Sequence, residues 1–192
     1  MDSVTHNTQA VLDFWFGSPA GEYRKQWFRK DPAFDQQIKT QFLDLYWAMV
    51  ASPPESWLGT AKSSLARIIV LDQFARNMFR GTPQSFAADP LALTTAELAI
   101  KRGYDVELLP VERFFLYLPF EHSENLNHQN RCVTYFENLI QDAPDLEHGL
   151  DYARRHREVI DRFGRFPHRN ETLDRQSTQA ELEFLKQPGS RF

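Results

Sequence analysis

The sequence predicts an all-α fold of about eight helices that stack as antiparallel hairpins. Prolines and glycines divide the chain into pieces of helical length, and within each piece apolar residues recur every three or four positions. No pair of segments alternates apolar and polar residues in the way that paired strands do. The connections are short, so we expect consecutive helices to pack side by side and antiparallel.

Capping residues, prolines and glycines mark the bounds of the first four helices. Asp31-Pro32 and Asp89-Pro90 each place a capping side chain before a proline, whose missing N–H costs nothing in the first turn of a helix. The four predicted helices run from a cap at Thr5 or Asn7 to Phe16 before Gly17, from Pro32 to the Pro53-Pro54 pair, from Ala61 after its cap Thr60 to Asn77, and from Pro90 to Gly103.

The same signals predict four further helices in the second half of the chain. An irregular stretch over residues 165–176 separates the last of them from the others. That last helix has a capping-box pattern, in which two side chains each bind the other's backbone N–H. The four helices run from Pro110 to Pro119, from the cap Ser123 to Pro144, from Asp145 to Gly164, and from the Thr178 and Glu181 capping box to about Lys186.

Length and composition restrict the class of protein. A chain of 192 residues with 42% hydrophobic residues and 16 Phe predicts one compact domain over residues 1–192. A single cysteine, Cys132, excludes an internal disulfide framework and is expected to be a small buried residue. No stretch is long and apolar enough to cross a membrane, and the first residues lack a signal-peptide pattern, so a cytoplasmic location is expected. The net charge of -4 disfavours broad binding to nucleic acid.

Several motifs that carry chemistry are absent from the sequence. It contains no Gly-rich phosphate loop after a strand and no Gly-x-Ser-x-Gly elbow. It also lacks a His-Glu-x-x-His pattern and cysteine pairs that could hold zinc. The sequence therefore predicts no cofactor and no metal.

The first of three polar stretches that could form a functional site covers residues 71–81. Asp72, Arg76 and Arg80 are four residues apart and share one helix face, with Asn77 beside them. Arg76 and Arg80 repel each other unless an anion or a carboxylate lies between them. The alternative is a solvated helix face on which Asp72 pairs with Arg76.

The second polar stretch covers residues 118–125. If Pro119 ends its helix, His122 and Glu124 lie at the N-terminus of the next one, where free backbone N–H groups attract anions. His122 and Glu124 could then serve as proton donor and acceptor, or as ligands. The alternative is that Ser123 caps the helix and Glu124 only occupies its first turn.

The third polar stretch follows the seventh helix and is rich in arginine. Seven arginines and no lysine occur from Arg154 to Arg175, a composition that favours bidentate recognition of carboxylate or phosphate groups. The alternative is an irregular connector whose arginines bind backbone carbonyls and acidic side chains. His156 is expected to be a core histidine that a carbonyl or carboxylate satisfies. The candidate binding residues are Arg165, His168, Arg169, Asn170 and Arg175.

These stretches resemble the bacterial domain-of-unknown-function-924 family (DUF924). The matching runs are residues 11–17 (VLDFWFG), 71–77 (LDQFARN), 118–124 (LPFEHSE) and 163–170 (FGRFPHRN), with Arg175 to Thr178, Glu181 and Phe184-Leu185 near the C-terminal end. The resemblance implies a tetratricopeptide-like α-superhelix and no established activity. The family pattern usually has Gly where this chain has Asp174, and often Pro where it has Ala75. The first departure puts a left-handed backbone position in doubt.

Three functions remain open at the level of sequence. The first is a binding module that holds an anionic small molecule or a peptide in a groove lined by residues such as Arg76, His122 and Arg169. The second is a hydrolase or transferase that acts on an anionic or phosphorylated substrate, with His122 or His168 as acid or base and Glu124 orienting it. The third is RNA binding through the segment after Asp151. The binding function and the enzyme function both require the three polar stretches to converge in one pocket.

Overall fold

The computed structural model describes residues 2–18, 21–52 and 54–192, with side chains described from residue 8 onward within these ranges. The predicted all-α class and the count of eight helices are confirmed over this part of the chain, which contains no strand. Short 3-10 turns occupy several of the connections. The helices are α1 (Asp2–Phe16), α2 (Pro32–Ala51), α3 (the continuous segments Ala61–Ile68, Ile69–Phe74 and Ala75–Met78), α4 (Asp89–Lys101), α5 (Pro110–Glu121), α6 (Leu126–Asp142), α7 (Glu147–Phe163) and α8 (Gln179–Phe184).

Capping chemistry accounts for the helix ends that the sequence predicted correctly. The Asp31 carboxylate accepts hydrogen bonds from two backbone N–H groups at the start of α2, and the Thr60 hydroxyl accepts one at the start of α3. Thr178 and Glu181 form the predicted capping box of α8. Gly164 ends α7 with a φ of 68°, a left-handed conformation that glycine adopts without strain.

Four predicted helix starts are wrong, and the fourth, that of α6, is described in the next paragraph. The first helix begins at Asp2, upstream of the predicted caps Thr5 and Asn7. α7 begins at Glu147 because a 3-10 turn, Pro144–Leu146, takes up the residues before it. At α4, Asp89 is the first helical residue and its side chain makes no capping hydrogen bond. The predicted stop of α2 at Pro53-Pro54 includes Pro53, which lies outside the described residues.

The second polar stretch has a different position in the fold from the one predicted. α5 does not end at Pro119 but continues to Glu121, because a proline removes only one backbone donor and both neighbours, Leu118 and Phe120, are buried. The cap of α6 is Asn125, whose side chain accepts from two backbone N–H groups, and not Ser123. His122 therefore lies at the C-terminal end of α5, so free helix N–H groups do not surround it.

A π-helical turn lies in the middle of α3 and was not predicted. The segment Ile69–Phe74 has the wider i to i+5 hydrogen-bonding pattern, and all six of its residues are buried. α3 is the most central helix, since it packs against α1, α2, α4 and α5. A π-turn inserts an extra residue and redirects the side chains that follow, and such turns are frequent at functional sites. Here the turn carries Asp72 and Gln73.

Aromatic side chains dominate the core around α3. The ring of Trp15 packs against Phe74 and Phe115 in edge-to-face contacts with centroids 5.6 and 5.5 Å apart. The Trp27 indole N–H donates to the Trp15 carbonyl oxygen at 2.8 Å. Cys132 is buried, as predicted. No helix in the described ranges combines the length and the apolar character needed to cross a bilayer.

The backbone accommodates both residues that depart from the family pattern, Asp174 and Ala75. Asp174 has a φ of 51°, so the left-handed position is kept although the residue is not glycine. Aspartate tolerates this conformation better than most residues because its short polar side chain can satisfy nearby backbone groups. Ala75 lies inside the continuous helix α3, where alanine is the most favourable residue.

A glycine sets the distance between α7 and its neighbours α5 and α6. A Cβ atom on Gly149 would lie 2.5 Å from the Phe114 ring and 2.6 Å from the Phe136 ring. Both contacts are far inside van der Waals distance, so the two rings pack directly on the backbone of α7. This close approach holds one face of α7 next to α5, and those two helices form much of the cavity described below.

We expect Gly149→Ala to lower the free energy of unfolding by about 1–3 kcal/mol because it overpacks this contact. Helix propensity alone predicts the opposite change, because alanine is favoured over glycine inside a helix by up to about 1 kcal/mol. Urea denaturation measures the change. Gly59→Ala is the control, because a Cβ there makes only ordinary contacts, and it should stay within about 0.5 kcal/mol of wild type. Equal midpoints for Gly149→Ala and wild type would contradict the packing described here.

Candidate functional site

A cavity of about 430 Å³ opens between α3, α5, α7 and the connector after α7. The structure brings residues from all three polar stretches to its wall. The sequence-predicted residues that line it are Arg76, Asn77, Arg80, His122, His168 and Arg169.

Five predicted site residues do not line the cavity: Asp72 is buried behind its wall, Glu124 lies between α5 and α6, and Arg165, Asn170 and Arg175 lie in the connector between α7 and α8. Glu124 accepts hydrogen bonds from Arg175 at 2.7 Å and from the Phe166 backbone N–H at 2.8 Å. Burial disfavours its charge, but the bonds from Arg175 and Phe166 outweigh burial and hold its pKa below the ordinary value. Glu124 therefore does not orient His122, contrary to the prediction.

The three predicted residues in the connector, Arg165, Asn170 and Arg175, hold it together. Arg165 makes a bidentate pair with Glu181 at 2.7 and 2.9 Å. Asn170 accepts from Arg175 and donates to the Ser177 hydroxyl, both at 3.0 Å. For Arg165, Asn170 and Arg175 the structure shows the alternative that the sequence left open, in which the arginines bind acidic side chains and backbone carbonyls.

A buried carboxylate and a histidine form a dyad at the wall of the cavity. The His122 Nδ1 lies 2.7 Å from the Asp72 Oδ1, and Asp72 is completely buried on the π-turn. The Gln73 side-chain amide donates to the second Asp72 oxygen at 2.6 Å, and the Arg76 Nη1 is 3.0 Å from Oδ1. Burial opposes ionisation of Asp72, but Arg76 and His122 outweigh burial and hold its pKa well below its usual range.

The protonation of His122 follows from its surroundings. Burial and the nearby Arg76 charge lower the pKa of His122, although Asp72 acts in the opposite direction. A neutral imidazole beside an ionised carboxylate must donate through Nδ1, because the carboxylate can only accept. The Nε2 atom then carries a lone pair, and among the described residues no donor is bonded to it. Geometry and charge together make His122 a candidate general base.

Glu121 belongs to the site although it was not predicted from the sequence. Its side chain lines the cavity, is almost completely buried, and has one oxygen, Oε2, without a hydrogen-bond partner among the described residues. The His156 Nδ1 is 3.6 Å from its other oxygen and hydrogen-bonds the Tyr152 carbonyl oxygen at 2.9 Å instead. Burial, with the charge of Asp72, raises the pKa of Glu121 to about 8. The carboxyl group is therefore mostly protonated at neutral pH and can donate a proton.

A sequence signal for Glu121 did exist. It follows Phe114 and Leu118 on the apolar face of α5, at the spacing that places side chains on one side of a helix. A glutamate on an apolar helix face is rarely buried without a function or a partner.

Arg169 is a buried cation with too few partners. Its guanidinium lies between the rings of Phe86 and Phe166, with its central carbon 4.7 and 4.5 Å from the two centroids. The side chain is only 7% exposed, its one carboxylate contact is to Asp89 at 3.4 Å, and its Nε has no partner among the described residues. Burial and the charge of Arg76 lower its pKa to about 10, so it stays charged at neutral pH.

Asp89 is the second residue that the sequence did not assign to the site. It makes a bidentate pair with Arg76 at 2.8 and 3.0 Å and also faces Arg169. One carboxylate thus serves two guanidinium groups. Arg80 has its own partner, Asp35, with bonds of 2.8 and 2.9 Å, so the predicted repulsion between Arg76 and Arg80 is relieved by separate carboxylates.

Two further histidines of the cavity wall, His156 and His168, are neutral. Burial and the Arg169 charge lower the pKa of His168 to about 3, and its Nδ1 is buried without a hydrogen bond to any described residue. A histidine with this pKa is a poor proton donor at neutral pH, which weakens the acid role predicted for His168. His156 is buried and hydrogen-bonds the Tyr152 carbonyl oxygen, as the sequence predicted for a core histidine.

The wall of the cavity has an excess of positive charge. The one carboxyl group among the lining side chains is the mostly protonated Glu121, while the five Lys and Arg residues are Arg29, Lys30, Arg76, Arg80 and Arg169. Carboxylates behind the wall pair with Arg76 and Arg80, so the excess rests on Arg29, Lys30 and Arg169. Within the described ranges, no three His, Cys, Asp or Glu side chains are grouped in a way that could hold a metal ion. The arrangement can therefore attract an anion, accept a proton at His122 and donate one from Glu121.

Comparison with known proteins gives a family but no activity. The model of a family described as "Bacterial protein of unknown function (DUF924)" matches residues 11–189. A solved structure, "Structure of Protein of Unknown Function ATU0120 from Agrobacterium tumefaciens", is similar to this chain with a TM-score of 0.85 and 39% sequence identity. The similarity covers 96% of this chain and 99% of that one. The search of curated proteins gave no significant match.

We expect Glu121→Gln to change how stability depends on pH. Because the pKa of Glu121 is raised in the folded state, the folded protein binds more protons than the unfolded chain between about pH 4.5 and about pH 8. Glu121 therefore favours folding at low pH, and this contribution is lost as pH rises through that window. The free energy of unfolding of wild type should fall relative to the variant by up to about 1.4 kcal/mol per pH unit. Urea denaturation at several pH values measures this, and parallel profiles would contradict it.

Proposed function

The chain belongs to the bacterial DUF924 family, whose description assigns no activity, and from the geometry of the cavity we propose that it binds a small organic anion. The observation that carries this proposal is Arg169. A guanidinium that is 93% buried would normally have its charge and its N–H donors matched by carboxylates or carbonyls, because the desolvation of an ion is costly. Arg169 has one long contact to a carboxylate that it shares with Arg76.

A bound anion would supply what Arg169 lacks. Carboxylate and phosphate oxygens match the fork of guanidinium donors, and such charge-assisted hydrogen bonds are about twice as strong as neutral ones. The excess of basic residues on the wall attracts an anion from solution, and the protonated Glu121 can donate a further hydrogen bond to it.

The size of the cavity favours a small molecule over a peptide. Its volume of about 430 Å³ is within the range of roughly 300–1,000 Å³ that is typical of small-molecule sites. RNA binding has less support, because Arg165 and Arg175 are already engaged by Glu181 and Glu124.

Inorganic phosphate and simple carboxylates are expected to raise the Tm of the protein in a concentration-dependent way, because a ligand of the folded state stabilises it. Arg169→Gln should weaken phosphate binding about 10-fold to 100-fold, the loss of one charged hydrogen-bonding partner. Calorimetric titration at low and high salt measures the Kd, which should increase with salt.

The matched control for this experiment is Arg154→Gln. Arg154 is an exposed arginine paired with Glu137, and it does not line the cavity. Its substitution should leave the Kd unchanged. If no anion changes the Tm or gives a heat of binding, the proposed function is wrong.

A second function is favoured by the Asp72–His122 dyad. We propose that the same site acts as a hydrolase or transferase on an anionic substrate, with His122 as general base through Nε2. Glu121, and not the Glu124 expected from the sequence, is then the carboxyl group that acts with His122, and it serves as the proton donor. A carboxylate behind Nδ1 fixes the tautomer of the imidazole and stabilises the charge that the ring acquires when it accepts a proton.

If the site is catalytic, His122→Gln should reduce turnover about 10²-fold to 10⁴-fold while anion binding is kept, because general-base catalysis contributes about this much. A screen of phosphate esters and carboxylate esters measures turnover. His128→Gln is the control, since His128 lies on α6, bonds Ser123 and is absent from the wall. Equal turnover in wild type and His122→Gln would exclude His122 as the base.

A further inference from the structure

We propose that the anion carries an aromatic ring, which a second and chemically different end of the same cavity accommodates. The inference rests on the proposed anion binding and specifies its ligand class: an aromatic ring joined by a short spacer to a phosphate or carboxylate group. It derives from the distribution of exposed rings, which is independent of the charges discussed above.

Exposed aromatic rings concentrate at this cavity. Tyr23, Phe28 and Tyr152 are 44%, 53% and 45% exposed, and all three line it together with the partly exposed Phe192. Among the exposed large aromatic side chains in the described residues, Trp47 alone lies elsewhere. Single exposed apolar residues are ordinary, but a convergent group of them marks a surface that binds something.

The rings form a connected wall with free faces and edges. Tyr23 stacks near Phe28 with centroids 6.1 Å apart, and its ring meets the edge of His148 at 4.9 Å. Phe28 contacts Phe114 at 6.1 Å. Trp27 packs behind Tyr23, with centroids 5.6 Å apart, and is buried. The wall is thus anchored in the core and offers a ring ligand both stacking and edge-to-face contacts.

One face of α7 connects the aromatic end to the charged end. His148, Tyr152 and His156 are four residues apart and all line the cavity, so they form a single strip along that helix. His148 contacts Tyr23 and Phe114 at one end, while His156 lies 3.6 Å from Glu121 at the other. At 1.5 Å per residue the strip is about 12 Å long.

This geometry sets the shape of the ligand. An anionic group at Arg169 and a ring at Tyr23 and Phe28 would be separated by a spacer of several atoms, within a volume that leaves room for one ring and a short chain. The proximity of rings, histidines and arginines favours an aromatic group over an aliphatic one, because rings and cations interact with a π-face in addition to its apolar area.

A homologous series of ligands tests the inference by calorimetric titration. Inorganic phosphate tests the charged end alone. Butyl phosphate adds the spacer, phenyl phosphate adds the ring, and phenylbutyl phosphate adds both. Cyclohexylbutyl phosphate has similar apolar area without a π-system, and phenylpentanoate replaces the phosphate by a carboxylate. We expect phenylbutyl phosphate to bind about 10-fold tighter than butyl phosphate, an aromatic contact worth about 1.4 kcal/mol, and tighter than its cyclohexyl analogue.

Variants assign the gain to the aromatic wall. Phe28→Leu keeps the apolar character but removes a ring that is half exposed, so it should abolish most of the preference for phenylbutyl phosphate and leave the Kd of inorganic phosphate unchanged. Trp47→Leu, at an equally exposed ring away from the cavity, should change neither.

The outcomes separate this inference from the proposed function. If phosphate binds but phenylbutyl and butyl phosphate have equal Kd values, or the cyclohexyl analogue binds as well as the phenyl one, the aromatic inference is overturned and anion binding stands. If inorganic phosphate and the carboxylate both fail to bind, the proposed function fails and the inference with it. A phenyl preference that survives Phe28→Leu would also overturn the assignment to this wall.

Discussion

The compensation of one buried charge organises the polar half of this molecule. The Asp72 carboxylate is completely buried, and a charge in that position persists only if neighbours supply hydrogen bonds and opposite charge. Arg76, Gln73 and His122 do so from two helices, α3 and α5. Asp72 lies on the π-turn of α3 and contacts His122 at the end of α5, so an irregularity of the backbone and the position of the histidine are parts of one arrangement.

Local chemistry explains why the helices could be predicted from the sequence. Caps such as Asp31 and Thr178 act within three residues, so their effect can be inferred without knowledge of the fold. The same reasoning failed at Pro119, because whether a helix continues past a proline depends on the burial of the residues around it. The π-turn likewise has no local signature in the sequence, and its buried residues pack against α1, α2 and α4. The tetratricopeptide-like superhelix stays a prediction.

The candidate site was predictable where residue types were unusual and not where their partners were decisive. Arg76, His122 and Arg169 stood out by their composition and spacing, and the structure places them on one wall. The sequence assigned Glu124 to the site and not Glu121, but Glu124 pairs with Arg175, while Glu121 is buried with one oxygen that has no hydrogen-bond partner among the described residues. Asp89 looked like a helix cap. Whether an acidic residue belongs to the site depends on contacts between segments far apart in the chain. The spacing of residues along the sequence does not reveal those contacts.

The sandwich of Arg169 between Phe86 and Phe166 has an entropic consequence. A free arginine samples many rotamers, and fixing a flexible side chain on association typically costs about 0.5–1.5 kcal/mol. The two rings already hold this guanidinium between them in the folded chain. Its conformational freedom is lost when the chain folds, so a ligand that meets Arg169 encounters a pre-organised donor array and does not have to order it.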